Sequence, residues 1–258
     1  MSNFLKILAS RGELAHRNRT MNTFSKEFKE AWKKVDEVTK QQLLVDKEVH
    51  AFLKPIFDDE AERTRFIKQC LNKLTARRML NHAHWYLEMA DAQEKVARGR
   101  PAIKIIFLMS LAEYITKARL RDNRIGSLKA IQSFFKFISK EDKALLQRGI
   151  EKLMVKIPHS KLRFTSLIRI LYDVRNRAVH GEDYYSFSLP SPERKRKAYE
   201  EDGYTHWSLA TTGYLMSQPR RRGGLRRKVR IPLDVTITYE DLREVFRRTA
   251  IANIQSLL

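Results

Sequence analysis

The feature that most constrains the fold of this chain is an apolar stripe that ends just before Gly181. The stripe advances by three, one, three and four residues through Leu167, Ile170, Leu171, Val174 and Ala178. In an α-helix of about 3.6 residues per turn these positions share one face, so the pattern predicts an amphipathic helix packed on a core. Glycine is common just past a helix C-terminus, so we expect this helix to end near His180.

The remaining sequence favours a mainly helical protein with one β insertion. The chain has 9 Gly and 7 Pro in 258 residues, which is few for an all-β protein rich in turns. Residues 102–120 are apolar almost all round, which predicts a buried helix that Pro101 can open. Between 229 and 237 apolar residues alternate with others, as in a strand. We therefore expect a β-hairpin insertion at about 186–238, followed by a helix from Tyr239.

Further helices are predicted on either side of the central helix. A stripe near the N-terminus runs through Phe24, Phe28, Ala31, Trp32 and Val35. Another helix is expected from about 82 to 98, and a helical pair between Ile131 and Leu153, with Ser139 as an N-terminal cap. We expect residues 1–75 to form an N-terminal helical extension and residues 76–258 to form one larger domain.

The charge of the chain indicates its partner. The formal net charge is +21, which attracts polyanions such as nucleic acid or an anionic membrane surface. The longest apolar stretch, Ile105 to Met109, is much shorter than the about 20 residues of a membrane span. The sequence therefore predicts RNA or DNA binding and no membrane. Cys70 is the only cysteine and no secretory signal is visible, so a cytoplasmic location is expected.

Two segments resemble a known family. Residues 86–120, YLEMADAQEKVARGRPAIKIIFLMSLAEYITKARL, combine an alanine-spaced helix, a glycine turn and a buried helix with Glu113 one turn before Lys117. The later helix ends in DVRNRAVHG, which places Arg175 and His180 in an Arg-x4–6-His motif with Asn176 directly after the arginine. These features, in this order, resemble the HEPN superfamily (higher eukaryote and prokaryote nucleotide-binding domain) over about residues 82–181 and the final helix.

The resemblance implies an antiparallel helical bundle that dimerises and cleaves RNA without a metal. Some members of the family are toxins or antiviral effectors, and others are non-catalytic modules that bind nucleotides or partners. The motif spacing alone is weak, since Arg11–His16 and Arg77–His82 also satisfy it. Its position at the end of an amphipathic helix distinguishes the later copy. A tyrosine follows the histidine by two residues in one subtype, whereas here Tyr184 lies further on.

Three residues of the motif suit RNA cleavage. His180 can move a proton near neutral pH, and Arg175 can bind phosphate oxygens through its planar fork. Asn176 can orient the histidine or hold a phosphate. The arginine and the histidine lie roughly 140° apart round a straight helix, so either the helix unwinds near Gly181 or two copies build a shared site.

Simpler interpretations of these residues stand beside the catalytic one. Arg175 could be a solvated helix residue, and His180 could be an ordinary helix cap. Arg169, Asp173 and Arg177 could form an i,i+4 surface ladder. Glu113 lies in a nearly all-apolar helix, and a buried carboxylate needs a partner. We expect it to form a salt bridge that supports the motif helix, with Asp173 and Tyr184 as further supporting residues.

A basic segment and an aromatic segment lie beyond the motif. Residues 219–230, PRRRGGLRRKVR, form a candidate RNA-binding arm, or alternatively a solvated loop or a nuclear-localisation-like signal. Its candidate RNA-binding residues are Arg220, Arg221, Arg222, Arg226, Arg227 and Lys228. The aromatic residues Tyr184, Tyr185 and Phe187 could stack on bases or pack beneath the hairpin.

Taken together, the residues and the resemblance predict a metal-independent endoribonuclease with no cofactor. His82 and His84 with Glu88 suggest zinc, but two histidines two residues apart lie on different helix faces, so we expect no metal. The resemblance implies a homodimer with a toxin or anti-phage role, for which an antitoxin or regulatory protein is a possible partner. The alternatives are a non-catalytic HEPN module that binds nucleic acid or a partner protein, and a structural subunit of a ribonucleoprotein.

Overall fold

The part of the chain that the structure describes is mainly helical, as the sequence predicts. The structure is a computed structural model, and it describes residues 26–96, 101–152, 162–180, 189, 211–218 and 227–258. The helices are α1 (Lys26–Val45), α2 (Lys47–Leu53), α3 (Glu60–Leu71), α4 (Leu74–Val96), α5 (Pro101–Leu120), α6 (Ser127–Phe134), α7 (Lys140–Gly149), α8 (Phe164–Val179) and α9 (Tyr239–Gln255). The strands are β1 (Ile150–Lys152), β2 (Thr211–Gln218) and β3 (Arg227–Val235).

The chain divides into two compact units, Met1–Ala51 and Phe52–Leu258. The sequence predicts a boundary between residues 75 and 76. In the first unit, α1 includes the described part of the predicted N-terminal stripe. Trp32 and Val35 are exposed there by 39% and 46%, so these two side chains do not enter a core. Phe24 and the side chain of Phe28 lie outside the described residues.

Helix α5 is the central element of the second unit. Apolar side chains surround it, which is why α4, α6, α8 and α9 all pack against it. Its fully buried residues include Leu108, Met109, Leu111, Ala112 and Ile115. This helix positions the rest of the unit, because each neighbour buries its own apolar face on it.

Helix α8 is the helix that the apolar stripe predicts. Leu167, Ile170, Leu171 and Val174 are buried against α5 and α6, and Ala178 is half-buried. The helix remains regular to Val179, and His180 is its C-terminal cap with φ −91° and ψ 7°. The backbone N–H of His180 donates to the carbonyl of Asn176 at 3.0 Å. Gly181, the predicted stop, lies outside the described residues.

A three-stranded antiparallel sheet with the order β1-β3-β2 joins the helices. Its register runs from Thr211 opposite Asp234 to Gln218 opposite Arg227 in one pair, and Ile150 lies opposite Val235 in the other. The strands β2 and β3 lie within the predicted insertion. Residues 186–188, 190–210 and 219–226 lie outside the described part, so the insertion as a whole and the HEPN-like bundle remain predictions.

One local prediction was wrong. The apolar pattern predicts a helical pair that extends to Leu153, whereas the chain leaves the helix at Ile150 and forms β1. The carbonyl of Gly149 accepts the backbone N–H groups of Thr236 and Ile237 at 2.9 and 3.1 Å, which turns the backbone toward β3. An apolar periodicity cannot show this change, because the partner strand lies far along the chain.

Helix ends and polar contacts hold the second unit together. Ser139 caps α7 as predicted, since its hydroxyl accepts the backbone N–H of Asp142 at 3.0 Å. The guanidinium of Arg248 donates to the carboxylate of Asp142, which is 7% exposed, at 2.6 Å. Helix α9 begins with a capping box formed by Thr238 and Asp241. Among the described helices, none is both long and apolar enough to cross a membrane.

Candidate active site

The end of α8 brings Arg175, Asn176 and Glu113 together. The guanidinium Nη1 of Arg175 donates to Oδ1 of Asn176 at 2.9 Å. Its Nη2 lies 3.5 Å from Oε2 of Glu113 on α5, and the side chains of Arg175 and Glu113 are 22% and 15% exposed. The ion pair that the sequence predicted for Glu113 is therefore present in the structure. Nε of Arg175 is buried and has no hydrogen-bond partner among the described residues.

Glu113 links three helices through one carboxylate. Its Oε1 accepts from Nζ of Lys117 at 2.7 Å and from the hydroxyl of Ser127, at the start of α6, at 2.8 Å. Burial alone would raise the pKa of Glu113. The hydrogen bonds from Lys117 and Ser127 and the charges of Lys117 and Arg175 outweigh burial and hold that pKa below its usual value. Glu113 is therefore charged near neutral pH, as an ion-pair partner must be.

His180 is separate from this group. Its side chain is exposed, and within the described ranges no hydrogen bond or ion pair joins it to Arg175 or to the side chain of Asn176. This separation agrees with a helix that stays regular to Val179, since residues five apart point in different directions. A single copy of α8 thus presents the arginine and the histidine as two separate groups.

Three of the other candidate residues lie within the described part of the chain, and the rest lie outside it. Asp173 is half-buried on α8 and is not free of partners. Arg227 and Lys228 begin β3, where their backbones lie opposite Gln218 and Ser217. The remaining candidates lie outside the described residues, namely Tyr184, Tyr185, Phe187, Arg220, Arg221, Arg222 and Arg226.

The two histidines that suggested zinc have different surroundings. Nε2 of His84 lies 3.2 Å from Oε1 of Glu88, one turn later on α4. The ring of His82 instead packs on the ring of Tyr114 from α5, with 4.0 Å between the ring centroids. Burial, helped by the positive charge of Arg78, lowers the pKa of His82, which favours its neutral form.

Sequence reasoning missed two features near the candidate site. It did not assign Ser127 to Glu113, although Ser127 follows the break at Gly126 and a buried carboxylate needs several donors. It also missed the aromatic rings that α4 and α5 bring together. Both features depend on contacts between helices, and only the spacing of aromatic residues on α4 could have suggested the second.

The arrangement can bind an anion and can transfer a proton. Arg175 is held by an amide and a carboxylate at the end of α8, and an exposed imidazole lies at the same helix end. A comparison of the chain with protein-family models, with curated proteins and with solved structures finds no match. Function is therefore inferred from these residues and from the sequence motif.

Proposed function

We propose that this chain is a metal-independent endoribonuclease of the HEPN type, active as a homodimer in the cytoplasm in a toxin or anti-phage role. The observation that supports it is the group at the end of α8, where Asn176 and Glu113 hold Arg175 and the next turn carries exposed His180. The order of elements over residues 82–181 supports the HEPN-like antiparallel bundle. The charge of +21 supports a nucleic-acid substrate.

RNA supplies the nucleophile of the proposed reaction. The 2′-hydroxyl releases its proton to water as its oxygen attacks the adjacent phosphorus, the bond to the 5′-oxygen breaks, and the products carry a 2′,3′-cyclic phosphate and a 5′-hydroxyl. Arg175 binds the phosphate oxygens as negative charge develops, because a guanidinium matches their geometry and remains charged. His180 donates the proton to the leaving 5′-oxygen, and its exposure lets RNA reach it.

The homodimer is part of the proposal because one copy of α8 keeps its arginine and histidine apart. Two copies related by a two-fold axis can place Arg175 of one chain beside His180 of the other. Side chains then supply both the cation and the acid, so the reaction needs no metal. An antitoxin or regulatory protein would act by covering this composite site.

The first test is incubation of the pure protein with total RNA in EDTA. Cleavage that leaves 2′,3′-cyclic phosphate ends is expected, and strict dependence on a divalent ion or 5′-phosphate products would contradict the mechanism. His180→Ala and Arg175→Ala should each abolish cleavage while the chain stays folded.

Mixing the two inactive chains tests the shared site. If Arg175 comes from one chain and His180 from the other, one of the two sites in a mixed dimer keeps both groups, and partial activity returns. A fully active monomer in ultracentrifugation would refute the composite site.

A second candidate function is a non-catalytic module that binds nucleic acid or a partner protein. The ion pair between Arg175 and Glu113 favours it, because it occupies one edge of the guanidinium. This candidate predicts RNA binding without cleavage in the same assay.

The basic arm can be tested separately. Neutralising Arg220, Arg221, Arg222, Arg226 and Arg227 should weaken RNA binding and reduce its salt dependence. The slope of the logarithm of the binding constant against the logarithm of the salt concentration should fall by about 0.9 per lost phosphate contact on a duplex and by about 0.7 on a single strand. Unchanged affinity and slope would show that the arm has another role.

A further inference from the structure

Four aromatic rings lie together where α4 packs on α5. His82, Trp85 and Tyr86 come from α4 and Tyr114 comes from α5, and we call these four residues the aromatic cluster. Trp85 meets Tyr86 edge-on at 5.0 Å between ring centroids, and Tyr86 lies 6.3 Å from Tyr114. Trp85 is 44% exposed, whereas the ring of His82 packs on that of Tyr114. The inner rings pack in the fold and leave the indole as the outer member.

The aromatic cluster borders the candidate active site. Tyr114 directly follows Glu113 on α5. Burial, and next the negative charge of Glu113, raises the pKa of Tyr86. The same carboxylate lies 3.5 Å from the guanidinium of Arg175. The rings and the proposed phosphate-binding arginine therefore flank one shared residue.

One cation acts on the rings of the aromatic cluster, and two more pair with the neighbouring Glu113. Arg78 lies one turn before His82 on α4, and its positive charge acts on both His82 and Tyr114. Lys117 and Arg175 both pair with the carboxylate of Glu113. Proteins commonly bind single-stranded nucleic acids with aromatic rings next to cations, because bases stack on the rings and phosphates pair with the cations.

We propose that the aromatic cluster, with Trp85 as its exposed face, is a stacking site for an unpaired RNA base next to the phosphate bound by Arg175. The proposal rests on the proposed function and deepens it, because it makes single-stranded RNA the substrate. A paired base has its faces covered by its neighbours, so only an unpaired base can lie on the indole. Arg78, which is exposed two turns before Trp85 on α4, supplies a cation for a neighbouring phosphate.

A second copy of the chain fits this surface less well than RNA does. In the part of α4 whose side chains are described, the exposed large apolar side chains are Trp85, Met89 one turn later, and Leu74 at the start of the helix. A stable protein interface buries about 800 Å² on each partner, and an aromatic side chain supplies at most about 250 Å². The exposed cation Arg78 on the same helix also suits a polyanion.

The test measures binding of a short labelled oligonucleotide with 2′-O-methyl riboses, which cannot be cleaved. Trp85→Ala should weaken binding of the single strand about five-fold or more, while Trp85→Phe keeps most of the affinity. Trp32→Ala is the matched control, since Trp32 is 39% exposed on α1, and it should change binding little. A duplex of the same sequence should bind Trp85→Ala and the unmodified chain alike.

A second measurement keeps the proposal testable if Trp85→Ala does not fold. With Trp32→Phe and Trp207→Phe, Trp85 remains the only tryptophan of the three, and its emission should be quenched as the single strand saturates the site. No quenching, or equal affinity of Trp85→Ala for the single strand, would overturn the stacking site. A drop in oligomeric mass on Trp85→Ala would overturn it in favour of a contact between copies.

The same data separate this inference from the proposed function. Binding that depends on Trp85, in a chain that cleaves no RNA, would refute the ribonuclease and leave the stacking site standing. Cleavage that proceeds with unchanged binding by Trp85→Ala would refute the stacking site alone.

Discussion

Replacement of Glu113 by glutamine removes one charge from the centre of the candidate site. The two side chains have nearly the same shape, so Glu113→Gln keeps an oxygen that can accept from Lys117 and Ser127. It removes the negative charge that faces Arg175 at 3.5 Å and Lys117 at 2.7 Å. The change therefore isolates the electrostatic part of the link between α5 and α8.

The structure sets the size of the expected loss. Opposite charges 3.5 Å apart attract by about 5 kcal/mol at an effective dielectric constant of about 20, and by about 1 kcal/mol in water. Desolvation offsets much of this attraction. The side chains of Glu113, Arg175 and Lys117 are 15%, 22% and 24% exposed, between a surface pair and a buried one. We expect Glu113→Gln to lower the free energy of unfolding by about 1–3 kcal/mol.

The assay is urea unfolding as a function of pH. The pKa of Glu113 in the folded chain lies below its unfolded value of about 4.3, so its stabilising effect is present above that pH and is lost as the pH falls through the folded pKa. The difference between the unmodified chain and Glu113→Gln should therefore shrink below about pH 4.

The matched control is Glu37→Gln, because Glu37 is 55% exposed and forms a helical surface pair with Lys40. That control should change stability little, since exposed pairs contribute little. Two results would contradict this reasoning: Glu113→Gln lowers the free energy of unfolding no more than Glu37→Gln does, or its effect stays unchanged at low pH. Either would mean that the charge of the Glu113 carboxylate does not stabilise the contact between α5 and α8.

Two further predictions concern the packing around the site. Gly149→Ala should lower the free energy of urea unfolding by about 1–3 kcal/mol, because a Cβ there would lie 2.6 Å from Cβ of Ile237. Gly126→Ala should lower it much less, because nothing lies within 4 Å of a Cβ at that position. Equal losses for the two variants would contradict this prediction. Burial, with the charge of Arg78, lowers the pKa of His82 in the folded chain below its unfolded value of about 6.5. As the pH falls below about 6.5, His82 is protonated more readily in the unfolded chain than in the folded one, so the folded chain should lose stability. His82→Gln should lose less over that range, and identical pH profiles would refute the assignment.

The sequence predicted the helices whose burial is simple. Helix α5 is apolar on nearly all sides and lies at the centre, and the stripe of α8 faces α5 as its periodicity requires. Local signals also identified Ser139 as a cap, since a cap depends only on the next three residues. The strand at Ile150 could not be predicted in this way, because pairing with Val235 decides it and that partner is distant in sequence.

The candidate site was predictable only in part, and for a similar reason. A carboxylate in an apolar helix needs a partner, which led to the ion pair between Glu113 and the motif helix. The bond from Ser127 to Glu113 and the contact between His82 and Tyr114 depend on how two helices face each other. Sequence spacing on one helix carries no information about that.

The unequal contacts of Glu113 reconcile the ion pair with a phosphate-binding role for Arg175. Oε1 of Glu113 is held at 2.7 Å by Lys117 and at 2.8 Å by Ser127, whereas Arg175 approaches Oε2 at 3.5 Å, the longest of the three distances. If Arg175 moves to a phosphate, Glu113 keeps a cation and a hydroxyl donor, so no bare carboxylate is left in a half-buried position. In the proposed reaction Glu113 therefore holds Arg175 in place before RNA binds and does not compete strongly with the phosphate for it.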